Sequence, residues 1–253
     1  CDFNDAGTLA LTEKVLTPAN NQINLDLCKA TLLSSWEALQ MRAGAGAPPP
    51  ASFDDYVISY MGDIIGNATE NSIWAGVVAG GDFNGFTGAV TGYLLAGVDA
   101  TVNQAVLTGG AGVAPVVGTI LADLQATVDA IPAAVIGKED LYIFINQQNW
   151  QLYIQAVSAL TGFPYGNMSD EYSRQFNGIK IAVVNGLQNA AIVAGAKSNL
   201  FFGTDLLSDG LSSSPRIQLL DMANLDGSDN MRMVCRYSAG TQTGVGADLV
   251  LCS

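Results

Sequence analysis

The side chains suited to chemistry are sparse, and their spacing argues against most of it. The chain has no histidine in 253 residues, which removes Ser-His-Asp and Cys-His pairs and most zinc and haem sites. Ala191–Ser198 (AIVAGAKS) has the lysine and serine of a phosphate-binding loop, but alanine at both glycine positions, Ala191 and Ala196. Without those glycines the backbone does not approach a phosphate, and the pattern places Lys197 between strands rather than at a helix start. Asn224–Asn230 (NLDGSDN) sets Asp226 and Asp229 near Asp221. The full ligand loop of a calcium site and its closing glutamate are missing, and an Asp-Gly turn between two strands explains the same residues. The paired carboxylates Asp54/Asp55, Glu139/Asp140 and Asp170/Glu171 are adjacent in sequence, so their side chains diverge in regular structure. A hydrolytic pair would have to converge from distant segments. Asn67-Ala-Thr and Asn167-Met-Ser fit the glycosylation pattern but are read as chance matches without a secretory signal. Cys1, Cys28, Cys235 and Cys252 form no CxxC pair, and the last three lie in apolar patterns that suit small buried hydrophobes. No catalytic residue, cofactor or metal ligand is assigned, and the chain reads as a non-enzyme.

Composition points elsewhere. Apolar residues make up 49% of the chain but charged ones only 13%, against roughly 25% in soluble domains. Low charge suits either a membrane or extensive buried interfaces. A spanning helix needs ~20 mostly apolar residues. The most apolar region, Gly85–Ala122, is broken by Asp99, Asn103, Gln104, the Gly109–Gly112 cluster and Pro115, so no membrane span is expected and interfaces are preferred. The formal charge of −13 does not suit a protein that wraps nucleic acid, because phosphate binding needs clustered Lys and Arg. It suits an acidic protein kept soluble by its charge, and equally a container wall that must not stick to DNA. The chain opens CDFNDAG, without the basic start and apolar run of a signal peptide or an initiator Met. The expectation is that it was processed or that upstream residues are missing.

The elements that would position these residues follow from periodicity. Thr8–Leu16 and Ile23–Leu27 alternate as half-buried strands, separated by a turn at Pro18–Asn21. Cys28–Met41 has helical spacing, and Ala43–Pro50 is a Gly- and Pro-rich linker. Phe53–Trp74 predicts a long amphipathic helix, with Ser52 as N-cap and Asp54 and Asp55 in the first turn. The glycine-rich stretch Gly76–Gly88 follows it, and lacks the preceding strand and GxGxxG of a nucleotide cradle. Val113–Ala130 and Asn149–Leu160 read as further helices, the first begun by Pro115. Leu141–Ile145 (LYIFI) and Ile179–Val184 are apolar on both faces and read as neighbouring central strands, with the intervening helix as crossover. Met231–Cys252 alternates and is expected to pair with the N-terminal strands beside the long helix.

One resemblance gathers these pieces. From Gly178 onward the chain shows a glycine-led strand (GIKIAVV), then "AIVAGAKSNLFFGTDL", an acidic turn, an Arg-bearing strand with Arg232 and Arg236, and a short final strand in ADLVLCS. With the long helix and glycine-rich loop ahead of it, this order resembles the major capsid proteins of tailed double-stranded DNA phages, with the Hong Kong 97-type fold. The segment LDLCKATLLSSWEALQ looks like the form in Bacteroides-type and related phages. The resemblance implies an α+β fold, with a peripheral domain (1–92 and 227–253) carrying the long "spine" helix. It also implies an axial domain (93–226) whose central sheet is flanked by helices. It implies a structural protein forming hexamers and pentamers of an icosahedral shell around DNA that is packaged without sequence recognition. Such a protein is located in the virion, is assembled in the host cytoplasm, and has portal, scaffold or cement proteins as possible further partners. An encapsulin-like compartment shares the fold and is the alternative, and a carboxylate-dependent hydrolase is the more distant one. The family's long hairpin and arm ahead of the spine helix are not matched by a stretch of comparable length here, and its Lys–Asn cross-link is carried onto no residue. The loop Thr161–Phe176, with Phe163, Tyr165, Met168, Tyr172 and Phe176, corresponds to the part that meets ring neighbours. Its aromatics would otherwise form an apolar patch of a size that soluble monomers seldom expose.

Overall fold

The computed structural model describes residues 13–28, 53–159, 174–205, 217–222 and 230–253. The chain builds two sheets joined by one long helix. Strand β1 (Ala19–Cys28) leads, followed by α1 (Phe53–Ala75), β2 (Asn103–Ala105), α2 (Ile120–Asp129), β3 (Leu141–Ile145) and α3 (Gln147–Ala159). The short β4 (Gln175–Phe176), β5 (Ile179–Val183), β6 (Ile192–Ala196) and β7 (Leu200–Thr204) come next. Strands β8 (Ile217–Asp221), β9 (Asn230–Thr243) and β10 (Val250–Cys252) close the chain.

The six-stranded sheet has the order β2-β10-β6-β3-β5-β4. LYIFI lies near its middle, and four of its five side chains are buried. β3 pairs in parallel with β5, Ile143 opposite Ile181, and α3 provides the crossover. The neighbouring pair expected from sequence is therefore present. β5 is less buried than its composition suggested, because Lys180 points to solvent. Alternation splits the core by face. Leu141, Ile143, Ile145, Ile192, Ala194, Val250 and Cys252 pack with Ile120, Leu124, Trp150 and Tyr153 of α2 and α3. Phe144, Val193 and Leu251 face the other way, against Trp74 at the end of α1 and Phe86, Leu94 and Val102 of the following loop. Trp74 lies 5.5 Å from the Phe86 ring and 5.3 Å from the Phe144 ring.

The glycine-rich loop serves the end of that helix. Gly76 N–H donates to the Ser72 carbonyl, Phe86 N–H to Ile73 and Thr87 N–H to Trp74. Loop amides thus satisfy carbonyls that a helix C-terminus leaves without partners, and none of these three is available for a phosphate.

The second sheet has four strands, with β1, β7 and β8 all antiparallel to β9. Its inner face puts Cys235, Tyr237 and Ala239, with Ile23 and Ala19, against Ile65 of α1 and Phe83. Its outer face is polar, with Arg232 paired to Asp26 at 3.2 Å and Arg236 bonded to Gln22 at 3.3 Å.

Five expectations need correction. β9 pairs with the N-terminal strand, but β10 leaves it and returns to the six-stranded sheet between β2 and β6. Pro18–Asn21 is not a turn: Ala19–Asn21 lie in the ladder opposite Ala239–Tyr237, whose hydrogen bonds override local turn preference. Glu13–Leu16 form no strand, while Thr8–Thr12 lie outside the described residues. α2 starts at Ile120 rather than Val113. Pro115 disfavours the helical region for Ala114, and Val116, Val117 and Gly118 are poor helix formers. Cys28 is exposed at the end of β1, whereas Cys235 and Cys252 are buried as expected. The helix expected over Cys28–Met41, the linker Ala43–Pro50 and the Asp226/Asp229 turn fall outside the described residues.

Candidate functional site: an apolar assembly surface

The five loop residues expected at a subunit contact cannot all be placed. Phe163, Tyr165, Met168 and Tyr172 lie outside the described residues. Phe176 is in β4, half-buried, and packs edge-on against Tyr153 at 6.2 Å between ring centres. Tyr153 stacks in turn on Trp150 at 5.4 Å. Phe176 thus serves its own core with at least part of its ring.

A different surface gathers exposed apolar groups. Val15, Val98, Phe201 and Val245 come from four separate segments, and each is 47–69% exposed. Val15 follows Lys14 in the chain, and Val98, Phe201 and Val245 line two adjoining grooves that share Lys14, Gln242 and Thr243. One, of about 390 Å³, is lined also by Leu16, Phe201, Gly244 and Val245. The other, of about 380 Å³, takes Tyr93, Val98 and Asp99. Local sequence explains two of these placements. Phe201 and Phe202 are neighbours on β7, so the alternation of a strand sends them to opposite faces. Phe202 lies 6.3 Å from Phe83 on the inner side, which leaves Phe201 outside. Val245 sits in the bend after β9, where Val245 N–H donates to Asn199 Oδ1 at 2.7 Å.

The charges in this surface are paired. Lys14 Nζ donates to Asp99 Oδ2 at 2.7 Å, and Asp99 Oδ1 accepts from the Thr101 amide and hydroxyl. The Lys14 bond first, and the Thr101 bonds with it, hold the Asp99 carboxyl down at about 2. At neutral pH the surface therefore carries neutralised charge beside exposed valines and a phenylalanine. This suits burial against protein better than attraction of an ion.

Chemistry finds little elsewhere. Asp140 accepts a short hydrogen bond from Ser198 Oγ, which lowers its carboxyl below the usual range. Lys197 lies in a short turn between β6 and β7, 5.8 Å over the Tyr142 ring, as its position between strands required. Burial pushes the Cys252 thiol up, which makes it a poor nucleophile. Among the described residues no group of His, Cys, Asp and Glu is placed to hold a metal ion, and no helix is long and apolar enough to cross a membrane.

The sequence reading missed this surface because its members are single apolar residues in polar surroundings, which are normal on any protein. The adjacent Phe201–Phe202 pair was the legible signal.

No protein-family model matches the chain, and no curated protein matches it. Solved structures are similar in shape. A chain of the satellite phage P4 procapsid, which includes the size determination protein Sid, is 13% identical with a TM-score of 0.57; 100% of this chain and 78% of that one are covered. The capsid of an empty GTA particle gives 12% identity, TM-score 0.60 and coverage of 99% and 80%. The holo-SrpI encapsulin complex of Synechococcus elongatus gives 9%, 0.50, 93% and 73%. At such identities the likeness speaks for architecture: the chain has an α+β, Hong Kong 97-type capsid fold.

Proposed function

We propose that this chain is the major shell subunit of a tailed-phage head. Copies associate into hexamers and pentamers and close as an icosahedron around double-stranded DNA, without sequence recognition. The observation that carries the reading is the likeness, over essentially the whole chain, to chains of a phage procapsid and of a GTA particle capsid. The apolar surface around Lys14 supports it independently, because it gives the fold a face that a second copy would cover.

The mechanism is shape and burial. Heterologous contacts repeat around a ring and close only where the rotation closes, with ~800 Å² per partner at each neighbour for a stable contact. The peripheral domain (1–92 and 227–253) holds the long helix, β1 and β9, and the axial domain (93–226) holds most of the six-stranded sheet. β7 and β8 fall within 93–226 but pair with β9, so they count with the peripheral sheet. β10 pairs in the six-stranded sheet, so Val250–Cys252 count with it. Phe163, Tyr165, Met168, Tyr172 and Phe176 border the ring centre, while Val15, Val98, Phe201 and Val245 meet a neighbour at the junction of the two sheets. The net charge of −13 keeps the wall from adhering to packaged DNA. Such a protein resides in the virion, is assembled in the host cytoplasm, meets portal, scaffold or cement proteins, and needs no catalytic residue.

The encapsulin likeness favours one second reading, a compartment enclosing protein cargo. Electron microscopy of purified particles, followed by nuclease and a mass-spectrometric inventory of contents, separates the two. Nuclease-protected DNA fits a phage head, protein cargo without DNA fits a compartment, and absence of particles refutes both.

A further inference from the structure

The segment Glu13–Pro18 lies over the four-stranded sheet where β7 and β9 each carry a glycine, Gly203 and Gly240, which are register partners. A Cβ at Gly203 would lie 2.9 Å from Leu16 Cδ2, and one at Gly240 would lie 3.1 Å from both Pro18 Cα and the Thr17 carbonyl oxygen. The paired glycines form a notch, and a larger residue at 240 would push the Thr17–Pro18 backbone away from the sheet. At the other end, Lys14 Nζ reaches Asp99 Oδ2 at 2.7 Å and Thr243 Oγ1 at 3.4 Å. Gln242 Nε2 donates to the Val15 carbonyl at 3.0 Å.

The geometry points to residues 14–18 acting as a clasp. They must be seated in the glycine notch and pinned by the Lys14–Asp99 pair before the surface around them can receive a second copy of this chain. This rests on the shell-subunit reading. Three observations carry it. The clasp supplies Lys14 and Leu16 to the groove walls, so release dismantles the surface. Among the described residues it joins no strand ladder before Ala19. Side-chain bonds and packing hold it, and such segments open at lower cost than strands. Its anchors also belong to different sheets: Asp99 precedes β2 of the six-stranded sheet, while Gln242 and Thr243 end β9 of the four-stranded one. A seated clasp therefore ties the two sheets together at the place where a neighbour would dock.

The test reads hydrogen exchange of the amides at 14–17 in the full-length chain kept unassembled, and particle yield under assembling conditions. Asp99→Asn and Gly240→Val are each expected to speed exchange, the first by up to about fivefold, and to lower particle yield, with circular dichroism unchanged. The Lys14→Asp/Asp99→Lys swap is expected to restore both readouts toward wild type. Unchanged exchange in both single variants overturns the clasp. Faster exchange with wild-type particle yield shows that the clasp does not govern assembly. Wild-type protein that forms no particles sinks the shell reading and this inference together, an outcome distinct from the other two.

Discussion

The two sheets solve the burial problem differently. The six-stranded sheet is covered on both faces from within the chain: α2 and α3 lie on one side, and the end of α1 with its glycine-rich loop lies on the other. Ile143, Ile145, Ile192, Val193, Ala194, Val250 and Cys252 have no exposed surface. Among the described residues the four-stranded sheet is covered on its inner face by Ile65 and Phe83, and on its outer face only by the short segment Leu16–Pro18 over Gly203 and Gly240. Its outer face is polar along β1 and β9, and apolar where Phe201 and Val245 stand. Among the described residues, the first sheet is thus packed on both faces and the second leaves exposed apolar side chains at Phe201 and Val245. Substitutions should divide the same way, costing stability in the first sheet and assembly in the second.

The largest effect is expected where the long helix meets the self-sufficient sheet. Trp74→Ala removes a side chain packed on Phe86 and Phe144 and should cost about 3–5 kcal/mol in chemical denaturation. A loss below about 1 kcal/mol would break the claim that this ring joins the two halves. Ile143→Ala, fully buried on β3, should cost about 2–5 kcal/mol, read as a lower midpoint with unchanged slope. Phe201→Asp with Val245→Asp should leave stability within about 0.5 kcal/mol yet abolish rings and shells. Normal particles from that double variant would move the contact away from Lys14. By the same logic Tyr165→Asp with Tyr172→Asp should stay folded by circular dichroism and fail to assemble if the axial loop meets ring neighbours.

The smallest effect concerns the ion pair. The folded Asp99 pKa of about 2 lies below its ordinary 3.8, so the pair's contribution is fully present above pH 3.8 and is lost as pH falls through about 2. Screening at a partly exposed pair limits it to about 1 kcal/mol or less. Asp99→Asn should therefore be slightly less stable than wild type at pH 6, with the difference closing as pH falls toward 2. A gap unchanged at pH 2 would show that the Asn destabilises by some other route.

What the sequence revealed follows the same division. LYIFI is an unbroken apolar run suited to the middle of a sheet, where it lies; Tyr56, Tyr60, Ile64 and their neighbours repeat at helical spacing, and α1 covers that range. Both patterns are local. β10 was misplaced because VLC is three residues long and its partners, Asn103–Ala105 and Ile192–Ala194, lie far away in sequence. Asn20 and Asn21 looked like a turn because the β9 ladder that extends them begins more than two hundred residues later. The assembly surface was illegible for a related reason. Lys14, Asp99, Phe201 and Thr243 carry no shared pattern, and only the fold brings them together.

The most direct test of the shell reading is sedimentation velocity of the purified wild-type chain across a concentration series. The account predicts that the 26.3 kDa chain is depleted in favour of a discrete fast boundary of rings or closed shells. A single slow boundary at the monomer mass, unchanged up to the highest concentration, would contradict it.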